Sequence, residues 1–268
     1  TVIIIEMKFG KRTRVITKEK IHKGYKFRIY PDPEQEKFFA KSFGCNRFIW
    51  NYFLNERKNF YLLNKEKDSK KGEKRSLDFF DNSKSLTKLK KDDRFKWLSE
   101  VNAQSLQQQL KRLDTAYISF FKKKTGFPKF KSKNNNQSFR VVQHFFLENK
   151  ILWIPKLDKG IKIVNHREFG KNSKILAVTI YKNPSGKYFA IFCVEENKLE
   201  TKKENKSIGI DVGLTNFAVM SDGTVINNPK IAHKKREKLV FLHRQFSKKV
   251  KDSKNKEKAR VKLARCYE

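Results

Sequence analysis

The stretch Ile208-Gly209-Ile210-Asp211-Val212-Gly213-Leu214 places one carboxylate in an otherwise apolar run, with a glycine two residues away on each side. A second apolar run, Phe217-Ala218-Val219, and the turn sequence Ser221-Asp222-Gly223 follow at once. This order predicts a hairpin with Asp211 on its first strand. The glycines let backbone or a phosphate come close. An aspartate in a buried strand is costly unless it is paired or binds a metal, so Asp211 is a candidate metal-binding residue.

Two types of fold present an aspartate in this way. An RNase H-like nuclease fold carries its first metal-binding aspartate on the first strand of such a hairpin. The segment Gly209–Gly213 also fits the phosphate-loop strand of a sugar kinase or an actin-like ATPase. The large basic surplus and the lack of a second phosphate loop favour the nuclease-like interpretation.

The net charge of the chain is its second strong feature. The 268 residues include 63 Lys and Arg against 28 Asp and Glu, a formal net charge of +35. Such a surplus concerns partners rather than fold, and nucleic acid is the obvious polyanion. Two alternatives to nucleic-acid binding are a charged surface that only keeps the protein in solution and binding to a membrane surface. No apolar run approaches the 18 or more residues that span a bilayer, so we expect no membrane partner and a cytoplasmic location.

The cysteines and histidines give little evidence of a functional site. The three cysteines, Cys45, Cys193 and Cys266, are scattered and form no C-x-x-C pair, and the five histidines show no metal-ligand spacing. We therefore expect buried free thiols and no zinc site. With 24 Phe and 38% hydrophobic residues, the chain can bury real cores in two or three domains.

The first third of the chain predicts a strand followed by helices. The segment 25–30 alternates apolar and basic residues, the period of a half-buried strand. A helix should start with Asp32 as N-cap, Pro33 at the first position and Gln35 completing a capping box, and run to about Leu63. The polar segment 64–75 predicts a mobile loop.

A second helix is indicated by an amphipathic pattern. Its apolar face holds Leu106, Leu110, Leu113, Tyr117 and Phe120, and Asn102 is a plausible cap. The opposite face could meet sugars and phosphates or be an ordinary solvated face, and it carries Gln104, Gln107, Gln108, Lys111 and Arg112.

Beyond Gly126 the pattern changes to short β-branched or aromatic runs, which predict strands over 139–142, 151–154, 161–164, 175–181 and 188–194. Pro184-Ser185-Gly186 gives the last pair a hairpin turn. Strands at this spacing suggest a small barrel, which the strand 25–30 should join. The polar segment 199–206 predicts a linker.

Two basic segments are the strongest candidates for nucleic-acid contact. The segment Lys122–Lys133 alternates basic and aromatic residues, so Lys129, Lys131 and Lys133 should contact phosphates. Its Phe127 and Phe130 could stack on bases, but we expect them to fill the barrel core.

The second basic segment is a lysine-rich helix that should begin near Ile231, break over 252–257 and resume over 259–267. Its narrow apolar stripe is predicted at Leu239, Leu242, Phe246 and Val250. As a basic helix it could follow a duplex backbone along Lys234–Lys262.

Read in order, these segments resemble the transposon-associated TnpB (OrfB) family, relatives of type V CRISPR effectors. The resemblance covers nearly the whole chain from Tyr25 onward, and any one of its motifs alone is weak. The segments that carry it are Tyr25-Lys26-Phe27-Arg28-Ile29-Tyr30-Pro31, Phe43-Gly44-Cys45-Asn46-Arg47-Phe48 with Asn51, Gln104-Ser105-Leu106-Gln107-Gln108, Gly126-Phe127-Pro128-Lys129-Phe130-Lys131-Ser132-Lys133, Pro184-Ser185-Gly186-Lys187-Tyr188 and Gly209-Ile210-Asp211-Val212-Gly213-Leu214.

The resemblance implies an RNA-guided DNA endonuclease with an α+β, multidomain architecture. After a leader over 1–24, an OB-like β-barrel wedge domain would comprise 25–33 and 126–200. A helical recognition domain over 34–125 would be inserted in it. A partial RNase H-like (RuvC) α/β domain would occupy 207–268. The partners would be a guide RNA, which selects the target by base pairing, and the target DNA.

The same resemblance implies roles for individual residues. Asp211 would be the first of three catalytic carboxylates that hold two Mg²⁺ ions for phosphodiester hydrolysis. Nucleic-acid contacts are expected from Lys26, Arg28, Arg47, Asn51, Gln104, Gln107, Gln108, Lys111, Lys129, Lys131, Lys133, Lys234, Lys235, Arg236, Arg244, Lys248 and Lys249.

The sequence also departs from the family. A relative would continue to a catalytic Glu, a four-cysteine zinc ribbon and a final catalytic Asp, which this sequence lacks. Since Mg²⁺ needs several fixed carboxylates, one Asp cannot build a two-metal site, and we expect a truncated chain. Two interpretations follow: the N-terminal portion of an RNA-guided nuclease, or a catalytically inactive nucleic-acid-binding protein.

Overall fold

The computed structural model describes residues 20–64, 76–170, 172–198 and 207–268. The chain divides into two compact units, Thr1–Lys198 and Leu199–Glu268. Residues 1–19 of the predicted leader, residues 65–75 of the predicted loop and the whole predicted linker over 199–206 lie outside the described residues. No helix in the described ranges has the length and apolar character needed to cross a bilayer.

The first unit contains a seven-stranded antiparallel sheet. Its strands are β1 (Lys20–Tyr30), β2 (Gln137–Val141), β3 (Phe146–Glu148), β4 (Ile151–Trp153), β5 (Ile161–Val164), β6 (Lys174–Lys182) and β7 (Tyr188–Asn197). The order is β2-β6-β7-β1-β5-β4-β3, so β1 does join the later strands, as predicted. β1 is longer than expected because residues 20–24 also pair with β7. The sheet is curled, and its order has two ends, β2 and β3, so the pairing among the described strands does not close it into the predicted barrel.

Helices enter between β1 and β2. They are α1 (Pro33–Asn64), α2 (Phe79–Leu89), a 3₁₀ helix (Asp93–Glu100) and α3 (Ala103–Phe121). The predicted capping box of α1 is confirmed, since the Gln35 N–H donates to Asp32 Oδ1 and the Asp32 N–H donates to Gln35 Oε1. Asn102 caps α3 by accepting from the N–H groups of Gln104 and Ser105.

Helix α1 connects the two cores of this unit. Near its start, Phe39 and Phe43 belong to the sheet core, where the Phe39 ring packs against Phe139 and Tyr188 and the Phe43 ring against Phe139. Further along, a second core includes side chains of α1, α2 and α3, among them Phe53, Leu54, Leu86, Leu106, Leu110 and Leu113. Because one helix is buried in both cores, the position of α3 relative to the sheet is fixed by packing.

The second unit contains a three-stranded antiparallel sheet and two helices. The strands β8 (Ile210–Asp211), β9 (Asn216–Met220) and β10 (Val225–Asn227) lie in the order β10-β9-β8. The predicted hairpin is confirmed, with Asp211 opposite Val219 and the Gly223 N–H donating to the Met220 carbonyl at 3.0 Å. Both units together give a mixed α/β fold.

The basic segment forms a helical hairpin rather than one interrupted helix. Helix α4 (Ile231–Ser247) packs against α5 (Lys254–Tyr267), which begins earlier than predicted because Ser253 caps it by accepting from the Lys256 N–H. Leu239, Leu242 and Phe246 are partly buried. Val250 is 77% exposed and lies beyond the end of α4, so its assignment to the apolar stripe was wrong.

Candidate nucleic-acid interface

The first unit holds a groove of about 1130 Å³ between helices α1 and α3 and the strands β2 and β6. Five cationic side chains line it: Arg47, Lys111, Arg112, Lys131 and Arg140. They come from four different segments of the chain, and among the described residues none that lines the groove is acidic. The groove is therefore strongly positive, which suits a phosphate backbone.

Helix α3 supplies one wall because it is amphipathic. Its leucines are buried in the helical core, which turns Gln108, Lys111 and Arg112 towards the groove. Arg112 Nη1 donates to Ser138 Oγ on β2 at 3.3 Å, which leaves most of the guanidinium N–H groups available to a ligand.

Strand β2 supplies part of the opposite side through its alternation. Phe139 and Val141 are buried in the sheet core, so Ser138 and Arg140 lie on the other face. Tyr181 on β6 is directly opposite Ser138 and also lines the groove.

The segment that follows α3 is tied to α1 by several hydrogen bonds. Asn51 Nδ2 donates to the Lys131 carbonyl at 3.0 Å, and the Lys131 N–H donates to Asn51 Oδ1 at 2.7 Å. Trp50 Nε1 donates to the Lys129 carbonyl at 2.9 Å. Arg47 Nη1 donates to Gln137 Oε1, and Gln137 Nε2 in turn donates to carbonyls of residues 132, 133 and 135. Two of the sequence motifs, around Asn51 and around Lys131, therefore meet in space.

Lys131 has an unusual environment within the groove. Its Nζ lies 3.8 Å from the centre of the Trp50 ring. Burial, and to a smaller extent the nearby Arg112, lowers the pKa of Lys131 to about 7. A phosphate in the groove would favour the charged form of this amine.

The structure brings four of the predicted contact residues to the groove: Arg47, Gln108, Lys111 and Lys131. Others of the first unit lie elsewhere. Gln104 donates to Gln143, and Gln107 is exposed on α3. Asn51 has its amide engaged with the Lys131 backbone. Lys129 and Lys133 have exposed side chains, and Lys26 and Arg28 lie on β1.

The expectation that Phe127 and Phe130 fill a barrel core was wrong. They are 41% and 52% exposed. The Phe127 ring packs edge-on against Tyr117 and Phe120 at the end of α3, and Lys58 Nζ lies 5.5 Å from the centre of the Phe130 ring. Both phenylalanines precede β2, so they never enter the sheet.

Sequence reasoning missed Arg140 and Tyr181. Arg140 could have been found from its alternation with Phe139 and Val141, which predicts a cation on the exposed face of a half-buried strand. Nothing local marks Tyr181, because its place beside Ser138 depends on the pairing of β2 with β6.

In the second unit Asp211 lies at the end of a two-residue strand and is exposed. The expected buried strand was therefore wrong, since both residues of β8 are exposed. Within the described ranges no three His, Cys, Asp or Glu side chains are grouped to hold a metal ion.

The predicted basic residues of the second unit are solvent-exposed. Lys234, Lys235, Arg236 and Arg244 lie on α4, Lys248 is its C-cap, and Lys249 follows. They give the second unit an exposed basic surface of its own.

Two family descriptions match parts of the chain. Residues 21–66 match a family described as a helix-turn-helix domain (HTH_OrfB_IS605), although the described part of this range forms one strand and one helix. Residues 191–268 match the family OrfB_IS605, described as a probable transposase.

Two curated relatives cover nearly all of this chain. A protein of Streptomyces pristinaespiralis named "Putative RNA-guided DNA endonuclease" is 30% identical over 251 residues, 93% of this chain and 60% of the relative. Its counterpart from Escherichia coli (strain K12), with the same name and the suffix InsQ, is 29% identical over 245 residues, 91% of this chain and 58% of the relative. The chain thus spans about 60% of the length of these relatives.

Among solved structures, a chain of the cryo-EM structure of the Cas12f1-sgRNA-target DNA complex is similar over 92% of this chain and 75% of its own length. The identity is 13% and the TM-score 0.45, a score too low to establish a shared fold. The two family matches and the two relatives agree with the resemblance drawn from the sequence motifs. The chain belongs to the OrfB (TnpB) family of IS605-type transposon proteins.

Proposed function

We propose that this chain is the nucleic-acid-binding part of an RNA-guided DNA endonuclease, with a guide RNA and its target DNA as partners. The observation that carries the proposal is the groove lined by Arg47, Lys111, Arg112, Lys131 and Arg140. Four cations, joined by Lys131 when a bound phosphate favours its charged form, can neutralise several successive phosphates. Each neutralised phosphate releases counterions and adds affinity. The names of the two relatives support the same assignment.

A domain assignment goes with this proposal. The sheet of the first unit is built from β1 and β2–β7 with α1–α3 between them, which suits a wedge domain over 25–33 and 126–200 that is split by a recognition domain over 34–125. The second unit would be the partial RuvC-like domain over 207–268, supported by the Asp211 hairpin. The exposed cations of α4 would be a further backbone contact.

Asp211 is proposed as one carboxylate of a divalent-metal site, with Mg²⁺ as the ion by family resemblance. When bound, such ions activate a water and stabilise the leaving oxygen of a phosphodiester. The described residues do not fit a complete site, because Asp211 is exposed and is not grouped with other metal-ligating side chains there. We therefore derive no cleavage step from these residues.

A second candidate function is nucleic-acid binding without cleavage. The isolated, exposed position of Asp211 favours it. The two candidates differ in one assay: incubation of the whole chain with Mg²⁺, guide RNA and target DNA. Cleavage that is lost in Asp211→Ala would overturn the binding-only candidate. No cleavage by either protein supports it.

The test of the groove is a charge-neutralising variant with a matched control. The test variant carries Lys111→Gln, Arg112→Gln and Arg140→Gln. The control carries Lys37→Gln, Lys84→Gln and Lys88→Gln, which remove the same charge from exposed residues outside the groove. RNA and duplex DNA affinities are measured for the whole chain at several salt concentrations.

If each groove cation neutralises one phosphate of duplex DNA, the slope of log K against log salt becomes less steep by about 2.7, and affinity near 0.1 M salt falls about 500-fold. The control variant should lose only the smaller part of the affinity that comes from the net charge of the chain. Equal losses in the two variants would show that net charge, rather than the groove, binds the nucleic acid.

A further inference from the structure

The face of the sheet opposite its core carries a row of aromatic and basic side chains. Three of them lie side by side on neighbouring strands: Tyr181 on β6, Phe189 on β7 and Arg28 on β1. Tyr181 pairs with Phe189, and Phe189 pairs with Arg28. Lys26 and Tyr30 lie two residues from Arg28 on the same face of β1. We call these five residues the sheet platform.

The cations of the platform lie over its rings. Lys26 Nζ is 4.2 Å from the centre of the Phe189 ring and 5.5 Å from that of Tyr181. Arg28 Cζ is 5.2 Å from the centre of the Phe189 ring and 5.1 Å from that of Tyr30. Positive charge and π faces are thus interleaved within a few ångströms.

The platform is open to a ligand. Lys26 is exposed, Tyr30 is 58% exposed, and Phe189 and Tyr181 are partly exposed. Arg28 Nη1 is withdrawn from water yet finds no hydrogen-bond partner within the described ranges. A cationic N–H in that state is satisfied by an incoming acceptor such as a phosphate oxygen.

From these observations we propose that the sheet platform binds an unpaired nucleotide: the base stacks on Phe189 and Tyr181, and its phosphate is held by Lys26 and Arg28. Charge complementarity and aromatic stacking are the features by which single strands are bound without regard to sequence. The proposal rests on the proposed function and extends it, since Tyr181 also lines the groove and could adjoin a backbone bound there.

The arrangement suits a nucleotide better than an isolated anion or an apolar partner. An isolated anion would use the cations but leave the ring faces unused, whereas an apolar partner would have to desolvate two cations. On binding, the Lys26 ammonium would leave its position above the Phe189 ring for the phosphate, which exchanges a cation–π contact for an ion pair.

The experiment uses the whole chain and short single strands that contain 2-aminopurine, in RNA and in DNA of the same sequence. The variants are Phe189→Leu and Tyr181→Leu, which keep an apolar side chain without an aromatic face, and Lys26→Gln at an exposed position. Lys84→Gln, at an exposed lysine of α2 outside the sheet, is the matched control. Thermal unfolding confirms that each variant folds.

We expect fluorescence quenching with the wild-type chain, loss of that quenching in both leucine variants, and an affinity loss of about 5- to 150-fold without a change in salt slope. Lys26→Gln should lower the salt slope for single strands by about 0.7 and Lys84→Gln should not. Equal affinities for the RNA and the DNA strand support a site that recognises the base and the phosphate alone. A higher affinity for the RNA strand supports the same site with an additional contact to the 2′-hydroxyl.

The outcomes separate this proposal from the proposed function. If folded leucine variants quench and bind like the wild type while the groove variant is impaired, the platform proposal is overturned and the groove stands. If the wild-type chain binds no short single strand, the platform proposal is overturned, whereas the groove is overturned only if the chain also fails to bind duplex DNA and longer RNA.

Discussion

Asn51 distinguishes a residue that shapes the groove from one that contacts nucleic acid. Sequence resemblance predicts contact, yet both polar atoms of its amide bond the backbone of Lys131, at 3.0 and 2.7 Å. Asn51→Ala removes both bonds and leaves a partly buried N–H and carbonyl without their partner.

The magnitude follows from these two bonds. Each is worth about 1 kcal/mol net, so Asn51→Ala should lower the free energy of unfolding by about 2 kcal/mol. For a protein of this size that is a fall in Tm of about 4–8 °C. Asn55→Ala is the matched control, because Asn55 lies one turn further along α1 and is exposed, and it should stay within about 0.5 kcal/mol of wild type.

Urea denaturation and a salt titration of RNA binding measure the two effects together. Because the amide itself neutralises no phosphate, the salt slope of Asn51→Ala should change by no more than the single contact of Lys131, about 1. Unchanged stability with a large loss of affinity would contradict a purely structural role and make Asn51 a direct ligand of nucleic acid.

Two further predictions concern pH. Burial lowers the pKa of Lys131 to about 7, against about 10.4 in an unfolded chain. Between these two values the unfolded state binds more protons than the folded state, so the free energy of unfolding should rise with pH. Urea midpoints at pH 6.5 and 9 measure this rise, and Lys131→Met should flatten it. The pKa of Glu196 is lowered to about 2, first by the hydrogen bond from Lys23 and then by that from Tyr25, against about 4.3 when unfolded. This stabilisation is present above about pH 4.3 and is lost as the pH falls towards 2, so acid unfolding of Glu196→Gln should lack that part of the pH dependence; an identical acid transition would contradict the role of this carboxylate.

Local features of the fold could be predicted because their signals are local. The capping box of Asp32 and Gln35, the amphipathic face of α3 and the hairpin around Gly223 each depend on residues within a turn or two of one another. Helix α2 and the 3₁₀ helix lie in a segment rich in Asp, Lys and Ser, where the apolar periodicity is short, and neither was predicted.

The groove could be predicted only in part because it is assembled from distant segments. Arg47 and Lys131 are 84 positions apart, and they meet only because Asn51 and Trp50 bind the segment after α3. The exposure of Asp211 was missed for a related reason: an apolar pattern indicates which face could be buried, but burial itself depends on what packs against that face.

The central claim is that the groove of the first unit binds the nucleic acid. The most direct measurement is ultraviolet cross-linking of the whole chain to RNA that carries 4-thiouridine, followed by mass spectrometry of the linked peptides. We predict cross-links in peptides from α3, β2 and β6, which hold Arg112, Arg140 and Tyr181. Cross-links confined to α4 and α5, with none in the groove, would contradict it.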